Sequence, residues 1–305
     1  MTQTIICAEI GINHNSDINI AKELIEKAAW AGADYVKFQK REPELAVPKD
    51  QWDVMREVPW SNEPVRYIDY KRRMEFDFDQ LRDLASHARQ HGIGMFLSVW
   101  DLPSLRIAAS FAFDMVKIPS AKLTDEELVR GAIKLAIKQP CDLVLSTGMS
   151  TAEEVEEGLG WILDEWNQSW PRPSAEGKPW PHVWILHCHS AYPAPSKELN
   201  LGVIPILWGD AQLRLGEIPH SIGYSGHEWG IQPTVWSVAL GARMIERHIT
   251  LDRTMWGTDQ SASVEPLAFA KMVSYVRSLE AALGDGVKRV WDSELPARAK
   301  LRGDG

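Results

Sequence analysis

The sequence predicts an α/β protein folded as a single (β/α)8 TIM barrel over residues 1–305, and three observations carry that reading. Short β-branched or apolar runs recur eight times along the chain. Each is followed by a longer polar and apolar segment, the pattern of a parallel sheet built from βα units. No G-x-G-x-x-G phosphate fingerprint opens a helix, which disfavours an open doubly wound sheet. Barrels of about 250 residues routinely form one domain, and 45% hydrophobic with 25% charged residues suits a large buried core.

In chain order, strands are expected at 5–11, 35–39, 94–99, 115–119, 143–147, 183–188, 221–224 and 243–249. Segments 18–31, 78–91, 125–137, 151–166 and 266–283 place apolar residues at three- and four-residue steps, as amphipathic helices do. Thr151 with Glu154 has the spacing of a capping box, and Asp125 falls in the first turn after Thr124. Two insertions interrupt the alternation. Residues 40–75 are charged, aromatic and proline-bearing and are expected to cover the catalytic mouth. Residues 167–181 are expected to form an exposed loop at the opposite end.

Thirty-three basic against 42 acidic residues give a net charge of −9. That argues against general nucleic-acid binding, because neutralising phosphates needs a basic surface. The N-terminal residues lack a signal-peptide pattern, and no stretch approaches about 18 consecutive apolar residues. The expectation is a cytoplasmic protein with no membrane partner. Cys7, Cys141 and Cys188 are odd in number and lie in or beside apolar runs, so buried, reduced thiols are expected. Among the 14 tryptophans, Trp161, Trp166, Trp170, Trp180 and Trp184 are expected to pack together.

In this architecture the chemistry sits at the C-terminal ends of the strands. Those ends supply Glu9, Asn13 and His14; Lys37 and Gln39; Ser98; Lys117 and Ser120; Ser146 and Thr147; His187, His189, Ser190 and Tyr192; Ser225 and His227; Glu246 and His248. A lysine inside a strand buried on both faces carries a desolvation cost that calls for an anion. Lys37 and Lys117, with Ser120 and Ser146 as hydroxyl donors, suit a ligand bearing both phosphate and carboxylate. Ion pairs with buried carboxylates such as Glu9 are the alternative. His227 and His248 end adjacent strands and suit a divalent metal. His187 precedes Cys188 in an apolar run and reads as structural.

At these positions the strings themselves resemble the sialic acid synthase family. They are AEIGINHN (8–15), VKFQ (36–39), VKIPS (116–120), LSTGM (145–149), HCHSAYP (187–193), IGYSGH (222–227) and ERHITLDR (246–253), in family order. The resemblance implies condensation of phosphoenolpyruvate with an N-acetylmannosamine-type amino-sugar aldehyde, giving a sialic acid or related nonulosonate. By motif, Lys37, Lys117, Ser120, Ser146, Ser190 and Ser225 are similar to phosphoenolpyruvate-binding positions, and His227 and His248 to manganese ligands, with magnesium and cobalt as alternatives. Glu9 matches the catalytic acid or base. Gln39, Tyr192 and Asp259 match positions that orient the acceptor sugar. The partners implied are therefore phosphoenolpyruvate and an amino sugar; a homodimer is left open.

Four departures stand out. Ser16 replaces a glycine, Val99 and Trp100 replace a threonine and its neighbour with loss of a hydroxyl donor, Gly226 replaces an aspartate beside the metal, and Gln260 replaces a histidine. The chain is also expected to lack the C-terminal antifreeze-like domain that many members carry, with residues 40–75 as a substitute cover. Two other readings compete: an aldolase using Lys37 or Lys117 as a Schiff base, and a non-catalytic barrel serving as an interaction or regulatory subunit.

Overall fold

A computed structural model describes residues 3–139, 141–169 and 180–303. Among them, eight parallel strands close a barrel in sequential order: β1 (Ile5–Gly11), β2 (Tyr35–Lys40), β3 (Gly94–Val99), β4 (Met115–Ile118), β5 (Asp142–Ser146), β6 (Val183–Cys188), β7 (His220–Gly226) and β8 (Met244–His248), with β8 returning to β1. Eight helices follow the strands: α1 (Ile18–Trp30), α2 (Phe78–Gln90), α3 (Leu102–Ala109), α4 (Glu126–Lys138), α5 (Ala152–Ser169), α6 (Val203–Leu215), α7 (Gln232–Ala239) and α8 (Pro266–Leu283). The predicted TIM barrel is therefore the fold.

Strand alternation sorts the side chains into two layers. Outward residues such as Ile6, Val36, Leu97, Val116, Leu143, Ile185, Ile222 and Ile245 meet the helices in the main core. Inward residues Cys7, Phe96, Met115, Val144, Trp184, Leu186 and Met244 plug the lower barrel. One step further along each strand the inward residues turn polar: Glu9, Lys37, Ser98, Lys117, Ser146, Ser225 and Glu246, all at most 3% exposed. The sheet thus delivers a polar layer onto an apolar floor, facing the C-terminal mouth.

The helix starts are locally encoded. Thr151 and Glu154 exchange the expected backbone bonds at 2.8 and 3.3 Å. Asp125 is itself the cap of α4, accepting from Leu128 N, rather than a first-turn residue, so Thr124 lies one position outside. Asp77 with Gln80 forms a second capping box, on α2. Helices α3, α6 and α7 carried no clear periodic signal. Two of them are only eight residues long, and α6 exposes Ile206, Trp208 and Leu213 around the buried line Ile204, Leu207, Ala211 and Leu215.

Residues 41–77 form an excursion with a two-stranded ribbon, Met55–Arg56 against Val65–Arg66, and a helix, Tyr67–Met74. Val58, Tyr70 and Met74 pack with Ile12, just beyond β1, and with Trp256, beyond β8. The excursion therefore sits at the mouth, as expected. Most of 167–181 lies outside the described residues, as does Trp170. The expected tryptophan cluster does not form as one: Trp166 stacks on Trp180 at 4.3 Å, whereas Trp184 points into the barrel floor and donates to Asp142.

Ser16 adopts φ +60°, the left-handed region, which explains why a glycine is usual there. Ser16→Gly removes about 1–2 kcal/mol of local strain against the extra chain entropy of glycine. The expected result is a gain of about 0.5–1 kcal/mol in urea unfolding.

Candidate active site

The polar layer is a connected charge network. Lys37 Nζ lies 2.7 Å from Glu9 and 3.7 Å from Glu246, and Lys117 Nζ lies 2.6 Å from Glu246, which also accepts from Ser225 Oγ at 3.1 Å. Burial opposes the charge on Lys37, but Glu246 and Glu9 outweigh it and hold the ammonium above its ordinary value. Burial likewise opposes the Glu246 carboxylate, and Lys117 and Lys37 reverse this and hold it well below the usual range. The result is two lysines interleaved with two carboxylates in a site closed to bulk water. Lys37, held as an ammonium, is a poor Schiff-base nucleophile.

Several atoms at this level are buried with no hydrogen-bond partner among the described residues: Ser146 Oγ, Glu246 Oε2 and His248 Nδ1. Leaving such groups unmade costs about 1–3 kcal/mol each, so their concentration at one mouth marks a ligand site.

Next to the lysines is a cradle of donors. Gly148 N donates to Ser120 Oγ at 3.0 Å. A Cβ on Gly148 would stand 2.3 Å from Ser190 Oγ, 2.9 Å from Ser120 Oγ and 3.1 Å from Cys188 Sγ. The absence of a side chain thus leaves a small space bordered by the Ser120 and Ser190 hydroxyls, with the Gly148 N–H holding Ser120 Oγ so that its own proton faces outward; hydroxyl donors suit phosphate oxygens. Gly148→Ala fills that space. For the phosphoenolpyruvate that the family resemblance implies, the expected outcome is a KM raised at least about tenfold, one lost hydrogen bond to a charged group, with the far-ultraviolet circular dichroism unchanged. The Ser190 side of the cradle opens into a cleft of about 1080 Å³ between α5 and α6; Lys37 and Lys117 do not line it.

The two imidazoles stand at the rim with ring centroids 5.5 Å apart, and Tyr192 packs against both, at 4.0 Å from His227 and 5.7 Å from His248. His227 Nδ1 donates to the His189 carbonyl at 2.7 Å, which leaves Nε2 with its lone pair. Burial depresses the pKa of both rings. Neutral imidazoles with free lone pairs, an unpartnered His248 Nδ1 and an unpartnered Glu246 oxygen are a donor set that fits a divalent cation. His248 Nδ1 is 3.8 Å from Asp259 Oδ2. Glu9 accepts from Gln39 Nε2 at 2.9 Å, and Gln39 in turn accepts from Arg41. Gly11, at φ +56°, lies where Glu9, Gln39 and His248 converge: a Cβ there would meet all three within 3.1–3.2 Å.

All twelve site residues expected from the sequence therefore gather at the mouth. Asn13 and His14 do not join them chemically. Asn13 donates to Ile249 O and Ser263, and His14 stacks on Phe76 at 4.2 Å, with burial lowering its pKa to about 3. His187 bonds Leu199 O at 2.8 Å and is structural, as its apolar neighbours suggested. The three cysteines are free and buried. Sequence reasoning missed Glu246 as the shared counter-charge, although its i, i+2 relation to His248 already placed both on one strand face. It also missed the backbone N–H of Gly148, and Cys188, whose thiol meets Ser120, Ser225 and His227.

Three departures acquire physical reasons. Val99 faces the outer core, so its apolar side chain takes no donor from the mouth; Trp100 Nε1 is buried beside Arg41, whose guanidinium stacks on the Trp100 ring at 4.6 Å. Position 226 also faces outward, opposite Arg247, and a Cβ there would collide with Glu228 at 2.5 Å. Glu228 provides the carboxylate for Arg247 at 2.8 Å, so position 226 belongs to the outer core rather than to the surroundings of the imidazoles. Gln260 ties its loop to Asn13 O and Thr250.

A (β/α)8 barrel whose mouth gathers two buried lysines, the Ser120 and Ser190 hydroxyls and two adjacent imidazoles has the build of a small-molecule enzyme. The NeuB family signature matches residues 24–288, and the chain belongs to that family. It is 33% identical over 294 residues to the N,N'-diacetyllegionaminic acid synthase of Campylobacter jejuni, covering 96% of this chain and 81% of that protein. It is 34% identical over 298 residues to the human N-acetylneuraminate-9-phosphate synthase, covering 97% and 76%. The crystal structure of the N-acetylneuraminic acid synthetase of Leptospira borgpetersenii in complex with citrate superposes with a TM-score of 0.81 at 27% identity, covering 99% of this chain and 93% of that one. Among the described residues no helix is long and apolar enough to cross a membrane.

Proposed function

We propose that the protein condenses phosphoenolpyruvate with an N-acetylmannosamine-type amino-sugar aldehyde to give a nonulosonate and phosphate. The observation that carries this reading is the pair of buried lysines, Lys37 and Lys117, beside the Ser120 and Ser190 hydroxyls. Together they offer one site for a phosphate and a carboxylate on a three-carbon skeleton. The free, buried cysteines suit a cytoplasmic enzyme.

Lys37 and Lys117 hold the anionic groups of phosphoenolpyruvate, and the fixed dipoles around them cost nothing to reorganise during reaction. The nucleophilic C3 then forms a bond to the aldehyde carbon, and the aldehyde oxygen takes up a proton. His227 and His248 would hold a divalent cation, manganese on the family resemblance, which would supply Lewis-acid chemistry. Water adds to C2, releasing a proton, and the C2–O bond to phosphate breaks. Glu9 is placed for these transfers because Lys37 and Gln39 fix both its oxygens. Tyr192 and Asp259 border the imidazoles on the side left for the sugar.

Phosphoenolpyruvate labelled with 18O in the bridging position tests the bond that breaks. Label recovered in the released phosphate is expected, and label retained in the organic product overturns the mechanism.

A further inference from the structure

The excursion over the mouth carries two kinds of cation. On its outer side, Arg66 pairs with Asp69 at 2.8 Å, and Arg72 with Glu44 and with Asp69, the latter at 2.8 Å. Toward the barrel loops the pattern changes. Among the described residues Arg56 and Lys71 make no ion pair; their neighbours are rings. Arg56 Cζ lies 4.6 Å from the Tyr70 centroid and 5.5 Å from that of Trp256, and Lys71 Nζ lies 5.2 Å from the centroids of both Tyr67 and Tyr70. Lys71 and Arg72 are consecutive on one helix, so the difference is one of face: Arg72 is neutralised on the solvent side, Lys71 turns to the rings, and the exposed Arg73 lies over the Trp60 ring at 4.8 Å.

The inner face is also short of hydrogen-bond acceptors. Tyr70 is 1% exposed, and its hydroxyl has no hydrogen-bond partner among the described residues. Burial depresses Lys71 to about 8, with Arg41 and Arg56 adding to the effect and Asp259 opposing it. Two partly desolvated cations and an orphan hydroxyl are an energetic liability that an anion would remove.

Their position names the side of the site concerned. Arg56 covers Trp256, which shares a loop with Asp259, and Asp259 is 3.8 Å from His248. The cluster therefore adjoins the acceptor side of the mouth, away from the Ser120 and Ser190 cradle. We propose that Arg56, Lys71 and the Tyr70 hydroxyl bind a phosphate monoester on the acceptor, so that the substrate is a phosphorylated amino sugar held by its end remote from the aldehyde. Two unpaired cations match the charge of −1.5 to −2 on a phosphate monoester at neutral pH better than the single charge of a carboxylate. The proposal rests on the condensation argued above and specifies its acceptor.

The test compares N-acetylmannosamine 6-phosphate with N-acetylmannosamine, by calorimetric binding without phosphoenolpyruvate and by kcat/KM with phosphoenolpyruvate and manganese. The wild type is expected to prefer the phosphorylated sugar by at least about 100-fold in both, tenfold for each of two charge-assisted contacts. In Arg56→Met/Lys71→Met that ratio collapses toward one, while Lys71→Arg, which keeps the charge, retains it. Equal use of both sugars by the wild type, or an unchanged ratio in the double variant, overturns the proposal. Turnover of the neutral sugar alone removes this proposal and leaves the condensation standing. Preferential binding of the phosphorylated sugar without turnover keeps the anion site and removes the condensation.

Discussion

Replacing His248 by alanine is expected to abolish turnover and to leave the barrel folded. His248 ends β8 at the rim, above the packed floor, and its Nδ1 has no hydrogen-bond partner to lose. What it contributes is a neutral imidazole 5.5 Å from that of His227, with Glu9 and Gln39 close by. Loss of a group that merely supports a metal ligand costs 10–100-fold, so loss of one of two imidazole donors should lower manganese affinity by more than about 100-fold. Phosphate release, manganese stoichiometry after gel filtration and thermal unfolding check the three parts separately. A folded His248→Ala enzyme with full activity removes the histidine pair from the chemistry.

Lys117→Ala raises the phosphoenolpyruvate requirement by about 2–4 kcal/mol, roughly 30- to 1000-fold in KM, as expected for deleting a charge-assisted contact in a dry site. The substitution also strands Glu246, which keeps Lys37 at 3.7 Å as its cation and the Ser225 hydroxyl at 3.1 Å. Removing one member of a buried ion pair costs about 3–5 kcal/mol of stability. The companion variant Lys117→Met/Glu246→Gln separates the effects: it should regain most of the stability in urea unfolding and none of the affinity. If it regains the affinity, Lys117 is a structural lysine rather than a ligand-binding one. The same arrangement explains how the site exchanges partners. Glu9 and Glu246 pair with the two lysines, and an incoming dianion must compete with both carboxylates for them.

Much of this molecule was legible before its structure, for reasons that can be located in particular residues. Parallel strands covered on both faces are continuous apolar runs, so β1, β3 and β6 could be bounded to the residue. A lysine inside such a run, as in YVKFQ or MVKIPS, has no reason to be there except a partner. What stayed hidden was the identity of that partner. Glu246 is 129 positions from Lys117, and only barrel closure brings β8 opposite β4. Inward and outward faces misled at two places: Val99 and Gly226 stand beside site residues in sequence, but strand alternation turns them to the outer core. The short helices α3 and α7 were unreadable because eight residues hold barely two turns of pattern. The unpaired inner cations of the excursion could not be told from its paired outer ones, since Lys71 and Arg72 are neighbours in the same charged string.

The most direct test of the central claim is phosphate release from phosphoenolpyruvate by manganese-loaded protein, with and without N-acetylmannosamine, its 6-phosphate and a diacetamido-hexose, with mass detection of the organic product. The account predicts release that depends on the sugar and a product with the mass of a nonulosonate or its phosphate. No release with any of the three sugars, from protein shown to be folded and metal-loaded, contradicts it and favours a barrel that binds anions without turning them over.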